Sequence, residues 1–323
     1  MWRALMWLQK NLIWSIPMAM LLGLVFGSIT DPRFLKSWIL PLTFLMVYPM
    51  MVTMNIKELF NKGGAKVQSV AMLINFLLIP ALGFIIGLIF FKEQPLARLG
   101  LLLTSLLPTS GMTISWTGFA KGNVPAAVKM TILGLIAGSL LTPLYLRGLL
   151  GTVVEIPMMQ VFIQILVIVF LPLVLGYLTQ LWLIKRHGMQ AYNTHIKSKF
   201  PPVSTLGVLG IVFVSMALKS NTILNQPMVL VHYLIPLVLM YAINFTLSTV
   251  LAKMMFARGD GIALVFGTVM RNLSIALAIA MGVFGEKGAE VALLIALAYV
   301  VQVQAAAWYV KWTPKLFADT PKV

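Results

Sequence analysis

The chain has 323 residues, 60% of them hydrophobic and 10% charged, with a formal net charge of +16. A soluble domain is about 45–50% apolar, so this composition reads as a multi-span membrane protein. The absence of Cys excludes disulfides, thiolate metal sites and thiol catalysis. Three scattered His make no metal centre, so no metal or cofactor is expected. The basic residues sit in short loops between apolar runs, a topology signal and not a nucleic-acid footprint.

A spanning helix needs about 20 mainly apolar residues, and ten stretches qualify. Met1 to Lys10 followed by an apolar run superficially resembles a signal peptide, but the run is too long and no A-x-A site follows it. That run, 11–30, is read as span 1. Span 2 (35–54) carries a Met-rich run, Met46–Met54, suited to soft packing. Span 3 (67–91) contains Ile74-Asn75-Phe76. Span 4 (97–119) is interrupted by Pro108, which removes a backbone donor and clashes with the preceding turn. Gly111 and the hydroxyls of Thr109, Ser110, Thr113 and Ser115 loosen it further. Span 5 (124–146) holds Lys129 about a turn and a half from its start, and span 6 (157–183) leads into the basic loop Ile184–Pro201. Spans 7 (202–219) and 8 (228–254) follow; span 8 carries His232 near its start, read as interfacial, and Ile243-Asn244-Phe245. Span 9 (260–284) has a Gly and a polar cluster at its middle, Gly267 to Ser274 with Arg271 inside it, and span 10 is 289–312.

Of the 24 Lys and Arg, 15 fall at the termini and in even-numbered loops and seven in odd-numbered loops. That bias places both termini in the cytoplasm. Ten spans divide into five plus five, residues 1–150 and 151–323. An odd number per half inverts a repeated unit relative to its copy, and the two Ile-Asn-Phe triplets in spans 3 and 8 are a trace of such a repeat.

Lys129 and Arg271 are the charged residues deep inside apolar segments, and no Asp or Glu accompanies them. A charge at mid-bilayer costs at least ~3 kcal/mol and usually marks function. Two cations without a carboxylate favour an anionic ligand over a carboxylate-based proton or sodium relay. Breaks at matching positions of two halves point to a transporter's binding site, and half-helix N-termini favour anions there. The sequence leaves two roles open for Arg271: a fixed counter-charge for an anion, or a brace bonded to the carbonyls that the break frees. Lys129 either assists electrostatically or snorkels to headgroups roughly 9 Å away at 1.5 Å per residue. Asn75 and Asn244 also fit as helix–helix glue.

Span 4, its continuation Gly118-Phe119-Ala120-Lys121-Gly122-Asn123-Val124-Pro125-Ala126 and the span 9 break resemble the bile acid:sodium symporter superfamily, which includes the arsenite-resistance permeases. The resemblance covers nearly the whole chain. It implies an all-α integral membrane fold of ten transmembrane helices, two inverted five-helix repeats and broken crossing helices at spans 4 and 9. It further implies a panel domain (spans 1, 2, 6 and 7) rocking against a core domain (spans 3–5 and 8–10).

Several positions depart from the family pattern. Where the sodium-coupled branch has T-x-S-N in span 4, this chain has Gly111, Thr113 and Ile114, so an amide ligand is lost. Ala127 and Thr131 match hydroxyl positions of span 5, and Thr131 keeps its hydroxyl. Gly267 and Arg271 match an E-x-x-x-Q pattern, and Asn75 matches a longer amide of span 3. A Lys and an Arg thus stand where two sodium ions would sit, and like charges that close repel strongly. In the arsenite branch, P-C-(S/T)-A-M-x-x-x-W resembles Pro108 to Trp116, with Thr109 in place of the Cys, and N-N-x-E resembles Arg271 to Ser274, without the acid.

The expected function is alternating-access secondary transport of a small anion, not sodium-coupled, in the lipid bilayer of the cytoplasmic (plasma) membrane. Arg271, Asn272, Ser274, Thr109, Ser110, Thr113 and Lys129 are the expected substrate contacts. Asn75, Ile114, Ala127, Thr131 and Gly267 are the degenerate ion positions. The rivals are a sodium-coupled organic-anion symporter and an arsenical or metalloid efflux permease. No nucleic-acid partner is expected, and assembly as a homo-oligomer stays open. No H-E-x-x-H, G-x-S-x-G or paired carboxylates occur, so no enzymatic activity is expected.

Overall fold

The computed structural model describes residues 2–55, 64–152 and 154–318. Three cations counted for topology, Lys57, Lys62 and Lys322, lie outside the described residues. Among the described residues all regular structure is helical, apart from one isolated antiparallel bridge between Pro108 and Arg271.

Helix α1 (Trp2–Lys10) is bent by 101° from α2 (Leu12–Ile29). At the bend, Asn11 Nδ2 donates to Trp7 O at 2.8 Å, a side-chain bond that competes with the helical backbone. A 3₁₀ turn, Pro32–Trp38, capped by Asp31, leads into α3 (Ile39–Val52). Helices α4 (Ala65–Leu73) and α5 (Ile79–Phe90) are joined by a π-helical turn, Ile74–Leu78. Pro80 explains it: without an N–H it leaves Phe76 O free, and the Tyr145 hydroxyl donates to that carbonyl. Helices α6 (Pro95–Leu106), α7 (Gly111–Phe119) and α8 (Val124–Leu150) complete the first half. In the second half, a π turn (Leu166–Phe170) links α9 (Met158–Ile165) to α10 (Leu171–His187), again just before a proline, Pro172. Then come α11 (Met189–Ala191), α12 (Phe200–Leu218), α13 (Ser220–Asn225) and α14 (Met228–Met255). The chain ends in α15 (Arg258–Val269), α16 (Leu273–Val283) and α17 (Gly285–Leu316).

Among the described residues seven helices are long and apolar enough to cross a membrane, or eight if the bent pair α1–α2 counts as one span. The chain is an integral membrane protein. The expected spans 4 and 9 are not single long helices: each is two short ones, α6 with α7 and α15 with α16.

The chain forms two compact units. One contains Met1–Met54, Pro157–Val231 and Ser274–Ala296; the other contains Asn55–Ile156, His232–Leu273 and Leu297–Val323. Spans 1, 2, 6 and 7 fall in the first unit, and so do the second half of span 9 and the start of span 10.

In the first unit α12 packs on α2 and α3. The approach is backbone to backbone, since a Cβ on Gly27 would lie 2.2 Å from Ala217 O. Lys219 Nζ and Glu290 Oε2 pair at 3.4 Å. A cavity of about 760 Å³ is lined in part by Thr30, Asp31, Arg33, Lys36 and Lys219. Hydrogen bonds from Arg33 hold the exposed Asp31 carboxyl below its ordinary pKa. None of the expected substrate contacts lines this cavity.

In the second unit α8 packs against α4, α6, α7 and α15. Asn123 ties the start of α8 to that of α15. Its Oδ1 caps Ala126 N at 3.1 Å, its Nδ2 donates to Asp260 Oδ1 at 2.6 Å, and its backbone N–H donates to Gly259 O at 2.9 Å. Asn123→Ala removes the cap and the Asp260 bond together. A stability loss of about 1–2 kcal/mol is expected in thermal unfolding of the purified protein.

Candidate functional site

The first break begins where α6 stops. Pro108 drives the residue before it out of the helical region, and Leu107 is extended, with φ −97° and ψ 93°. Thr109 lies in the left-handed region at φ 58°, uncommon for a β-branched residue and a local store of strain. Its Oγ1 sits 2.8 Å from Pro108 O and 3.3 Å from Thr131 O. Ser110 and Thr113 then start α7 with a capping box: Ser110 Oγ accepts from Met112 N at 3.2 Å and Thr113 Oγ1 accepts from Ser110 N at 3.1 Å.

The second break has no proline. Met270 leaves α15 in an extended conformation, with φ −74° and ψ 106°. The two breaks pair with each other: Thr109 N donates to Met270 O and Asn272 N donates to Leu107 O, both at 2.8 Å. The result is a one-rung antiparallel ribbon with Pro108 facing Arg271. It satisfies backbone groups that the interrupted helices release at this depth.

Arg271 is fully buried. Its Nε donates to Thr104 O at 3.3 Å, and its Nη1 to Asn75 Oδ1 at 2.5 Å and Thr268 O at 3.0 Å. Its Nη2 donates to Ser105 O. All four acceptors are neutral oxygens. Thr104 and Ser105 close the last turn of α6, and Thr268 that of α15. A helix C-terminus carries about −0.5 elementary charge. Two such ends roughly match the single positive charge of the guanidinium, which is how the cation persists here without a carboxylate. Of the two roles that the sequence leaves open for Arg271, the geometry supplies the brace directly.

The other expected residues are distributed around this centre. Asn75 lies in the π turn, fully buried, and also donates from Nδ2 to Gly267 O at 2.9 Å. Asn244 donates to Thr268 O at 3.2 Å, so both Ile-Asn-Phe asparagines engage the C-terminal end of α15. Gly267 packs on Met130, whose Sδ would lie 2.4 Å from an added Cβ. Ala127 and Thr131 are buried on α8, with Thr131 Oγ1 donating to Ala127 O at 2.8 Å. Ile114 and Lys129 are half-buried, on α7 and α8. Asn272 is 5% exposed, and Ser274 belongs to the other unit.

Four further residues complete the site. Thr104 and Ser105 act through their carbonyls, which no side-chain pattern reveals. Gln302, on α17, accepts from Arg271 N, and Tyr241, on α14, donates to the Gln302 amide oxygen. Gln302 is a neutral amide and carries no charge to mark it within its apolar span. Gly134 and Gly138 seat the first break on α8, and their G-x-x-x-G spacing is a legible signal of close helix approach.

Residues 40–226 match the Sodium Bile acid symporter family. The chain belongs to this family. The match includes the first break and ends before the second. Among its relatives, the "Arsenical-resistance protein Acr3" of Corynebacterium glutamicum is 25% identical over 79% of this chain and 72% of its own length. An "Uncharacterized transporter slr0944" of Synechocystis is 22% identical over 89% of this chain and 84% of its own. The "Probable sodium/metabolite cotransporter BASS2, chloroplastic" of Oryza sativa subsp. japonica is 34% identical over 34% of this chain and 26% of its own. Membership of the sodium bile acid symporter family makes the chain a membrane transporter.

Proposed function

We propose that this family member carries a small anion by alternating access without sodium coupling, the positive charge at its centre being covalently attached. The observation that carries the reading is the all-oxygen shell of Arg271: Thr104 O, Ser105 O, Thr268 O and Asn75 Oδ1. Unwound carbonyls and helix C-terminal ends are the groups that hold sodium in broken-helix transporters. Here a guanidinium that keeps its proton occupies them. The two C-terminal dipoles are then engaged, and the dipole at the N-terminal end of α7, which the Ser110–Thr113 capping box closes, favours negative charge beside it. Thr109, Ser110, Thr113 and Asn272 are the proposed substrate contacts in this unit. Arg271 and Lys129 act on the anion electrostatically.

In this reading each broken pair crosses the bilayer once, making ten crossings in two inverted halves, 1–150 and 151–323. Both termini lie in the cytoplasm, and the bilayer is the plasma membrane. The panel, spans 1, 2, 6 and 7, moves relative to the core.

The test is a thermal-shift screen of the purified protein against carboxylates, sulfonates, phosphate and oxyanions, in sodium chloride and in choline chloride. A ligand at a hundredfold excess over its Kd stabilises by about 2.7 kcal/mol. The expected result is an anion whose shift is the same in both salts. A shift that appears only with sodium would replace this reading by the sodium-coupled one.

The arsenical-resistance relative favours a second reading, export of a metalloid without the thiol, since Thr109 stands where that branch has Cys. Restored arsenite resistance in an exporter-deleted host would support it.

A further inference from the structure

We propose that Gln302 is a positioning residue of the transport centre: its side-chain amide takes the place of a third strand and holds Arg271 extended, keeping the guanidinium among its carbonyls. The proposal rests on the role given to Arg271 above.

Extended backbone turns the N–H and C=O of alternate residues to opposite sides. Met270 O and Asn272 N face Leu107–Thr109 and are satisfied there. The N–H and C=O of Arg271 itself therefore point away from that ribbon, and buried backbone groups need partners. Gln302, fully buried, supplies both: Oε1 accepts from Arg271 N at 2.7 Å and Nε2 donates to Arg271 O at 3.3 Å. The Tyr241 hydroxyl donates to the same Oε1 at 2.8 Å. Arg271 itself fixes the orientation of the amide, because a reversed amide would set its NH₂ against the Arg271 N–H and its oxygen against the Arg271 carbonyl. The facing residue needs no such help. Pro108 has no N–H, and its carbonyl already receives the Thr109 hydroxyl at 2.8 Å. A proline therefore opens one break, and an amide from a distant helix holds the other open.

The test is hydrogen exchange of the full chain in detergent micelles with isotopically labelled arginine, which reports seven residues. In the parent, the backbone amide and the Nε–H of Arg271 should both exchange slowly. In Gln302→Leu both should exchange on the order of tenfold faster, as expected for one lost hydrogen bond. Gln302→Glu keeps an acceptor for Arg271 N and Tyr241, so the backbone amide should regain most of its protection. If Gln302→Leu does not fold, Tyr241→Phe carries the test. It should speed exchange of the Arg271 amide a few-fold and leave the other arginines as they were. Unchanged Arg271 signals in the folded variant would overturn the proposal. A role limited to packing α17 would leave the Nε–H unmoved. The exchange readout needs neither sodium nor substrate. A sodium-induced change of the Nε–H signal in the parent would instead count against the sodium-independent reading.

Discussion

Arg271→Ala should be the most damaging single truncation in the protein, and sodium should partly repair it. Removing the guanidinium leaves Thr104 O, Ser105 O, Thr268 O and Asn75 Oδ1 without their donor in a fully buried place. A buried acceptor left without its donor costs about 1–3 kcal/mol, and four are left at once. The abandoned oxygens then suit a small cation, as carbonyls at helix breaks do elsewhere. The melting temperature of the variant should therefore rise with sodium chloride and not with choline chloride at equal ionic strength, while the parent stays indifferent to the exchange. Arg271→Lys should fall between the two. It keeps the charge but replaces a planar fork that reaches four oxygens with a point charge and three donors. A variant destabilised equally in both salts would mean that the oxygens are only a structural brace.

The second large effect comes from the bed on which the first break lies. A Cβ on Gly138 would meet Pro108 Cδ at 2.8 Å, and one on Gly134 would meet Thr109 Oγ1 at 2.6 Å. The Pro108 ring has little room to move, because its neighbours Leu107 and Thr109 are pinned in the ribbon with Met270 and Asn272. Gly138→Ala should cost about 1–3 kcal/mol by overpacking. Gly148 lies on the same helix with nothing within 4 Å of an added Cβ. Gly148→Ala should therefore raise stability by about 0.5–1 kcal/mol, the ordinary gain from replacing an unconstrained helical glycine. Opposite signs for two identical substitutions on one helix, read by thermal unfolding, would show that Gly138 serves the break. Equal effects would mean that α8 tolerates a methyl group against Pro108.

The local chemistry of both breaks can be read in the sequence. Pro108 and the hydroxyls after it mark residues 107–110, and the polar cluster around Arg271 marks residues 270–272; the helices are interrupted at both places. The pairing of the breaks is another matter. Arg271 and Ser105 are 166 residues apart, and which carbonyls meet which guanidinium is decided by how helices pack, not by periodicity along one of them. The same reason hides Thr104 and Ser105, whose contribution is backbone oxygen. It also hides Gln302, whose amide gains meaning only beside an extended Arg271. The asparagines of the two Ile-Asn-Phe triplets could be singled out as polar groups in apolar spans. Their common target, the C-terminal end of α15, could not. The π turn that carries Asn75 follows from Pro80, although a proline in the sequence predicts only a disturbance and not its form.

The most direct measurement is equilibrium binding of radioactive sodium to the purified parent protein and to Arg271→Ala in the same detergent. The parent should show no saturable sodium binding, and the variant should gain a saturable site. Stoichiometric sodium binding by the parent would contradict the substitution of a guanidinium for the ion.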